Sequence, residues 1–142
     1  MKKVPAARFT GVLLLILSAA LVAAAAQLPC KDVQSSLDSW LALIDAGKSD
    51  ESWEKTAESF RAVVTKEQWR QSVKTVREPL GKTIKREVTR ATYTREIGNA
   101  PKGHYVIVQL EGSFEHKPAS VETVTLRLGP DGAWRVSGYF VK

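Results

Sequence analysis

At Thr83 the spacing of apolar residues changes, and that change fixes the class of fold open to the chain. Before it, apolar positions recur about every 3.6 residues, the period of a helix packed on one face. After it they alternate, and β-branched and aromatic residues take over, as in strands with one buried face. Val33, Leu37, Trp40, Leu41 and Ile44 form the first helical stripe, which Gly47 stops after "LIDAG". Ser49 can cap a second helix with Trp53, Ala57 and Phe60 on its buried face. A third starts at Thr65, where "VTKEQW" combines a capping box, Thr65 with Gln68, and a hydrophobic staple, Val64 against Trp69. Trp69, Val73 and Val76 continue its stripe until Pro79 and Gly81.

Four strands are expected from the alternation: Thr83 to Ile97, His104 to Glu115, Val121 to Leu128 and Ala133 to Val141. The separators are "GNAPKG", "HKPA" and "GPDG", the last a tight turn that makes the third and fourth strands an antiparallel hairpin. Helices first and strands second predict an α+β domain: three N-terminal helices packed on a curved four-stranded antiparallel sheet. In the final strand, alternation puts Trp134, Val136, Gly138 and Phe140 on one face and Arg135, Ser137 and Tyr139 on the other.

Met1 to Thr10 carries Lys2, Lys3 and Arg8 with no acid and leads into the apolar run "VLLLILSAALV". This is the layout of a signal peptide, and Ala24 and Ala26 suit peptidase cleavage before Gln27. The apolar run is shorter than the roughly 20 residues a spanning helix needs, so no stable membrane insertion is expected after cleavage. The predicted organisation is a signal peptide over 1–26, a flexible mature N-terminus over 27–31 and one α+β domain over 32–142. The predicted location is the periplasm or the outside of a bacterial cell. Removing residues 1–26 takes three of the 21 basic residues and none of the 15 acidic ones, which lowers the net charge from +6 to +3. Neither that charge nor an exported location favours nucleic acid. The single cysteine, Cys30, excludes an internal disulfide in an oxidising compartment.

Catalytic motifs are absent. His104 and His116 lie a strand apart and make no metal cluster, no serine sits in a nucleophile elbow, and no glycine pattern cradles a phosphate. No metal and no cofactor are therefore expected. Two constellations remain. Lys66, Arg70, Lys74 and Arg77 recur at helical spacing and form a candidate surface for an anionic envelope component, although an ordinary solvated helix face has the same pattern. Glu122 shares parity with Val124, Leu126 and Leu128, which puts a carboxylate on an apolar face, where a bare charge is too costly to keep. Arg86 and Arg90 share parity with Ile84 and Val88, so one of them is expected to pair with Glu122, either as a structural salt bridge or as the floor of a pocket ringed by Tyr93, His116 and Trp134.

Helices, a long curved sheet and a terminal "DGAWRV" strand resemble the cystatin-like, nuclear transport factor 2-like cone, a fold that hosts isomerases, dehydratases, carriers and structural modules. More closely, "LIDAGKSDESW", "QWRQSVKTVREPLGKTIKRE", "GHYVIVQLEGSFEHK" and "VETVTLRLGPDGAWRVSGYF", in that order, resemble an exported bacterial family, domain-of-unknown-function family 4019. The departure is "APKGHY", which lacks an aspartate before Gly103 and touches only a loop. The resemblance implies an address and a fold but no activity. The function read here is an exported, non-enzymatic single-domain protein that binds a periplasmic protein, an envelope polymer or a small ligand. The alternative is a small cone-fold enzyme of the isomerase or dehydratase type, with Glu122 as base and His116 or Tyr93 as acid.

The signal peptide yields the first prediction. Protein recovered from the periplasm should begin at Gln27, or within about two residues of it, because of the small residues at Ala24 and Ala26. Intact mass measures this, and a full-length species in the membrane would refute it.

Overall fold

The computed structural model describes residues 29–142; the proposed signal peptide lies outside the described residues. Four α-helices, α1 (Lys31–Asp45), α2 (Ser49–Glu54), α3 (Glu58–Arg61) and α4 (Lys66–Ser72), precede four strands, β1 (Thr83–Thr94), β2 (Tyr105–Phe114), β3 (Lys117–Leu128) and β4 (Trp134–Val141). The strands form one antiparallel sheet in the order β1-β2-β3-β4. No helix among the described residues is long and apolar enough to cross a membrane.

The α1 helix buries Val33, Leu37, Trp40, Leu41 and Ile44, the stripe its spacing predicts. It stops where Gly47 adopts a positive φ of 71° and its amide reaches the carbonyl of Ile44 at 3.1 Å. Its apolar face packs on Val106, Val108, Leu110, Val124, Leu126 and Val136 of the inner sheet face, which together form one core.

The expected second helix is two helices. After Glu54 the chain leaves helical geometry, and Thr56 forms a parallel bridge with Val136. The Ala57 amide donates to the Val136 carbonyl at 2.7 Å, so a hydrogen bond to the sheet replaces continuation of the helix. The Arg61 guanidinium then donates to the freed carbonyls of Glu54, at 2.8 Å, and Thr56, at 2.6 Å. That compensates the break.

At α4 the capping box forms as read: the Gln68 amide donates to Thr65 Oγ1 at 3.2 Å, and the Thr65 amide to Gln68 Oε1 at 2.9 Å. Beyond Ser72, however, the helix widens into a π-helical turn over Val73–Arg77 and a short 3₁₀ turn over Glu78–Leu80. The wider turn changes the phase of the stripe. Arg77 is buried in place of Val76, which is exposed.

The helical tryptophans are held at their polar ends by one serine and one loop. Ser52, fully buried, accepts the Trp40 indole N–H on its carbonyl and the Trp69 indole N–H on its hydroxyl, both at 2.9 Å. Trp53 donates to the Val64 carbonyl at 2.8 Å. Each indole thus buries apolar surface without stranding its donor.

The strand boundaries differ from those expected. β1 ends at Thr94, short of Ile97, and β3 starts at Lys117, because the chain reverses through Glu115 and His116. More consequential are the irregularities in register. Besides one between Gly112 and Phe114 next to the β2–β3 turn, one falls between Thr83 and Lys85 and another between Val88 and Arg90 in β1, and one opposite Thr125 and Leu126 adds Ser137 to β4. Each inserts a residue and turns the following side chains to the other face. Ile84 is therefore 68% exposed, not buried, and Arg90 is exposed. In β4, Trp134 and Val136 face the helices as read, but after Ser137 it is Tyr139 that faces inward, while Phe140 is 68% exposed.

The capping box supplies a test of this local reading. Thr65→Ala should cost about 0.5–2 kcal/mol, the range for a lost N-cap, read from the urea midpoint. An unchanged midpoint would show that the box contributes nothing to α4.

Candidate functional site

Glu122 stands on β3 beside Val124 and Leu126 and is 2% exposed. Its register partner on β2 is Leu110, and one pair further along the same inner face are Gly112 and Ser120. Gly112 is also the register partner of Arg86 on β1. The row Arg86, Gly112, Ser120 thus has small residues where side chains would stand, and the Arg86 guanidinium crosses β2 there. No larger residue fits at Gly112: a Cβ would lie 2.2 Å from the Lys85 carbonyl oxygen.

Arg86 binds two carboxylates at once. Its Nε and Nη2 donate to Glu122 Oε2 and Oε1 at 2.5 and 3.1 Å. Its Nη1 and Nη2 donate to Asp45 Oδ2 and Oδ1, at the end of α1, at 2.7 and 3.0 Å. Both contacts use the two-pronged geometry in which guanidinium and carboxylate match best. Tyr139 Oη donates to Glu122 Oε1 at 2.6 Å. Arg77, delivered inward by the π-helical turn, donates from Nη2 to Asp45 Oδ1 at 3.0 Å and to Thr83 Oγ1 at 2.9 Å, and from Nη1 to the Gly81 carbonyl at 2.6 Å. Its guanidinium also lies 4.5 Å from the centre of the Phe114 ring. The cluster holds two cations and two anions, so it is neutral as a unit.

The electrostatics follow from that closure. Burial raises the Asp45 carboxyl, but the hydrogen bonds and charge of Arg86, with help from Arg77 and Thr83, outweigh it and hold the group below the usual aspartate range. Burial disfavours the Arg86 cation, and its two carboxylates more than reverse this, so it stays charged. Burial, together with the Glu122 charge, pushes the Tyr139 phenol well above its ordinary range. Tyr139 is therefore a fixed donor.

Of the residues expected around Glu122, only Arg86 is there. Arg90 lies beyond a bulge and is exposed. Tyr93 is at the far end of β1, with its hydroxyl on His104 Nδ1. His116 is exposed in the β2–β3 turn, its amide donating to the Leu80 carbonyl at 3.0 Å. Trp134 faces the opposite flank of α1, where it lines a cleft with Trp40 and Lys55. The basic helix is also redistributed. Lys66 pairs with Glu54 at 2.6 Å, Arg70 with Asp50 at 2.9 Å and with Glu67, and Arg77 is internal; Lys74 alone is exposed without an ion pair among the described residues.

Sequence reasoning missed Asp45, Arg77 and Tyr139. Two of them left a signal. An aspartate in the last turn of a helix faces the negative end of the dipole, which is unfavourable unless a cation compensates it. Arg77 falls four residues after Val73 and eight after Trp69, on the buried stripe itself. Tyr139 left no local signal, because the bulge at Ser137 depends on pairing with β3.

Two clefts flank α1. One, of about 420 Å³, lies against β1 and β2 and is lined by Asp38, Leu41, Asp45, Arg86 and Val88 among others. The other, of about 410 Å³, lies against β4. Glu122 lines neither. Among the described residues no group of histidine, cysteine, aspartate or glutamate side chains is placed to hold a metal ion.

Comparison with known proteins adds a family. The model for proteins of unknown function called DUF4019 matches residues 36–139, and the chain belongs to that family. No curated protein and no solved structure matches it.

The network predicts a pattern of stabilities. Glu122→Ala should destabilise by about 3 kcal/mol, the low end for a broken buried pair, because Arg86 keeps Asp45. Replacing Arg86, Glu122 and Tyr139 together by methionine, leucine and phenylalanine removes the buried partners of Glu122, leaves the partly exposed Asp45 on Arg77 and Thr83, and should recover at least half of that loss in urea unfolding. A triple variant less stable than Glu122→Ala would contradict a network held chiefly by mutual compensation.

Proposed function

With membership of that family as the premise, we propose that the chain is an exported, non-enzymatic binding module. Its single domain, residues 32–142, follows a cleaved signal peptide and works in the periplasm or outside the cell. The sheet curved around α1 is read as a cone of the cystatin-like, nuclear transport factor 2-like kind. A cleft beside α1 receives the ligand, and the ionic cluster holds the walls of that cleft in register.

One observation carries the non-enzymatic reading. Both Glu122 oxygens are engaged by Arg86 and one also by Tyr139, and the carboxylate lines neither cleft. A general base needs an oxygen within reach of a substrate proton. Glu122 has none to offer, and the acids that would complete an enzyme, His116 and Tyr93, are elsewhere in the fold. The basic helix is a weaker candidate for binding than its sequence suggests, because Lys66, Arg70 and Arg77 spend their charge on neighbours.

The test is genetic. A strain carrying the compensated replacement of Arg86, Glu122 and Tyr139 together by methionine, leucine and phenylalanine at the native locus, with the protein present at wild-type level, should compete with wild type under envelope stress that handicaps a deletion strain. If the variant is present at wild-type level but competes as poorly as the deletion, Glu122 performs chemistry and the non-enzymatic reading fails. Fractionation of the same strains should recover the protein with the periplasmic contents.

A further inference from the structure

Three of the four tryptophans commit their indole N–H to an acceptor within the fold: Trp40 and Trp69 to Ser52, and Trp53 to Val64. Trp134 does not; among the described residues its Nε1 has no hydrogen-bond partner. It is half-buried, packs against the core and lines the cleft of about 410 Å³ between α1 and β4. The other walls are Trp40, Leu43 and Val136, with the hydroxyl-bearing Ser36 and Ser39 along α1. Ser39 returns its hydroxyl to the Ser35 carbonyl, whereas Ser36 makes no side-chain bond among the described residues.

Charge separates this cleft from its counterpart across α1. The β1 cleft contains Asp38 and Asp45, and its one cation, Arg86, is taken by internal carboxylates. The β4 cleft contains no carboxylate. It holds Lys55 and Arg135. Arg135 is neutralised by Asp131, to which it donates at 2.7 and 2.9 Å. Lys55 is exposed and has no ion pair among the described residues. Residues that carry an unspent indole donor, an unspent hydroxyl and an unpaired ammonium therefore line one cavity with apolar walls, within the range of about 300–1,000 Å³ typical of small-molecule sites.

We propose that the α1–β4 cleft binds a small carboxylate with one flat apolar face, an acidic sugar unit or an aromatic acid. The flat face lies on the indole of Trp134, the carboxylate meets Lys55, and the remaining polar atoms meet Trp134 Nε1 and Ser36. This assignment rests on the reading of the chain as a binding module and names the ligand chemistry of one of its two clefts. Cation and apolar wall act together: the wall supplies burial, and the ammonium sets the sign of the ligand.

The four indole N–H groups make the test direct. In a ¹⁵N-labelled mature protein each tryptophan gives one indole cross-peak, and titration follows them individually. Methyl glucuronide and phenylacetate are the probes, with methyl glucoside and benzyl alcohol as their neutral counterparts. The expected result is that at least one anionic probe shifts the Trp134 cross-peak saturably, and that Lys55→Gln weakens binding at least fivefold. The uronide alone binding would assign an acidic sugar, and phenylacetate alone an aromatic acid. Trp134→Phe removes one indole cross-peak and so assigns it, and the other three staying in place certifies the fold. Neutral probes binding as well as the anions, or no effect of Lys55→Gln, would overturn the assignment of an anion. If other resonances move and the Trp134 peak does not, the cleft assignment is overturned while the binding-module reading stands. If no resonance moves with any probe, the proposed ligand class is overturned. Failure of the binding-module reading itself shows elsewhere, as loss of fitness in the stable, compensated Arg86, Glu122 and Tyr139 variant.

Discussion

A carboxylate buried on the apolar face of a sheet has to be answered, and the answer organises this protein. Glu122 is met by Arg86 from β1 and by Tyr139 from β4, and Arg86 is met in turn by Asp45 from the end of α1. Arg77, after α4, closes the cluster on Asp45. Four parts of the chain far apart in sequence are thereby fixed to β3. Hydrophobic burial supplies most of the stabilisation in such a domain, but it is tolerant of small shifts. Two-pronged guanidinium–carboxylate contacts are not tolerant, so the cluster specifies one alignment of α1 over the sheet.

Irregular backbone is what lets these groups meet. The π-helical turn brings Arg77 inward, the bulges in β1 leave Arg86 and Val88 facing the helices while turning Ile84 and Arg90 out, and the extra residue at Ser137 brings Tyr139 to Glu122. Gly112 permits the close approach of the β1 backbone at Lys85 and Arg86. Regular elements alone would have placed Val76, Arg90 and Phe140 inside and left Glu122 with fewer partners.

The aromatic side of the core follows a parallel logic. Trp40, Trp69 and Tyr139 pack with ring centres 5.3–6.4 Å apart, and Phe60 joins edge-on to Trp69 at 5.6 Å. Tyr139 belongs to both systems, since its ring lies among the tryptophans and its hydroxyl on Glu122. These rings fill the interior beneath the sheet, and the two clefts described above lie along the flanks of α1.

The sequence by itself determined the change from helix to sheet at Thr83, the buried stripe of α1, the capping box at Thr65, the β3–β4 hairpin at "GPDG", and the need of Glu122 for an arginine. All of these rest on interactions between residues a few positions apart, or on the cost of burying one charge, and both are legible in a linear pattern. Tertiary structure decided that the arginine is Arg86 and not Arg90, that Tyr139 and not Phe140 turns inward, that the second helix breaks after Glu54, and that Asp45 and Arg77 complete the cluster. The physical reason is common to most of these. Alternation assigns a face only while each residue advances the pleat by one step, and an inserted residue reverses the assignment for everything after it. Whether a residue is inserted depends on register with a neighbouring strand, and whether a helix stops can depend on a hydrogen bond to a distant carbonyl, such as that from Ala57 to Val136. Those partners are chosen only when the chain is folded.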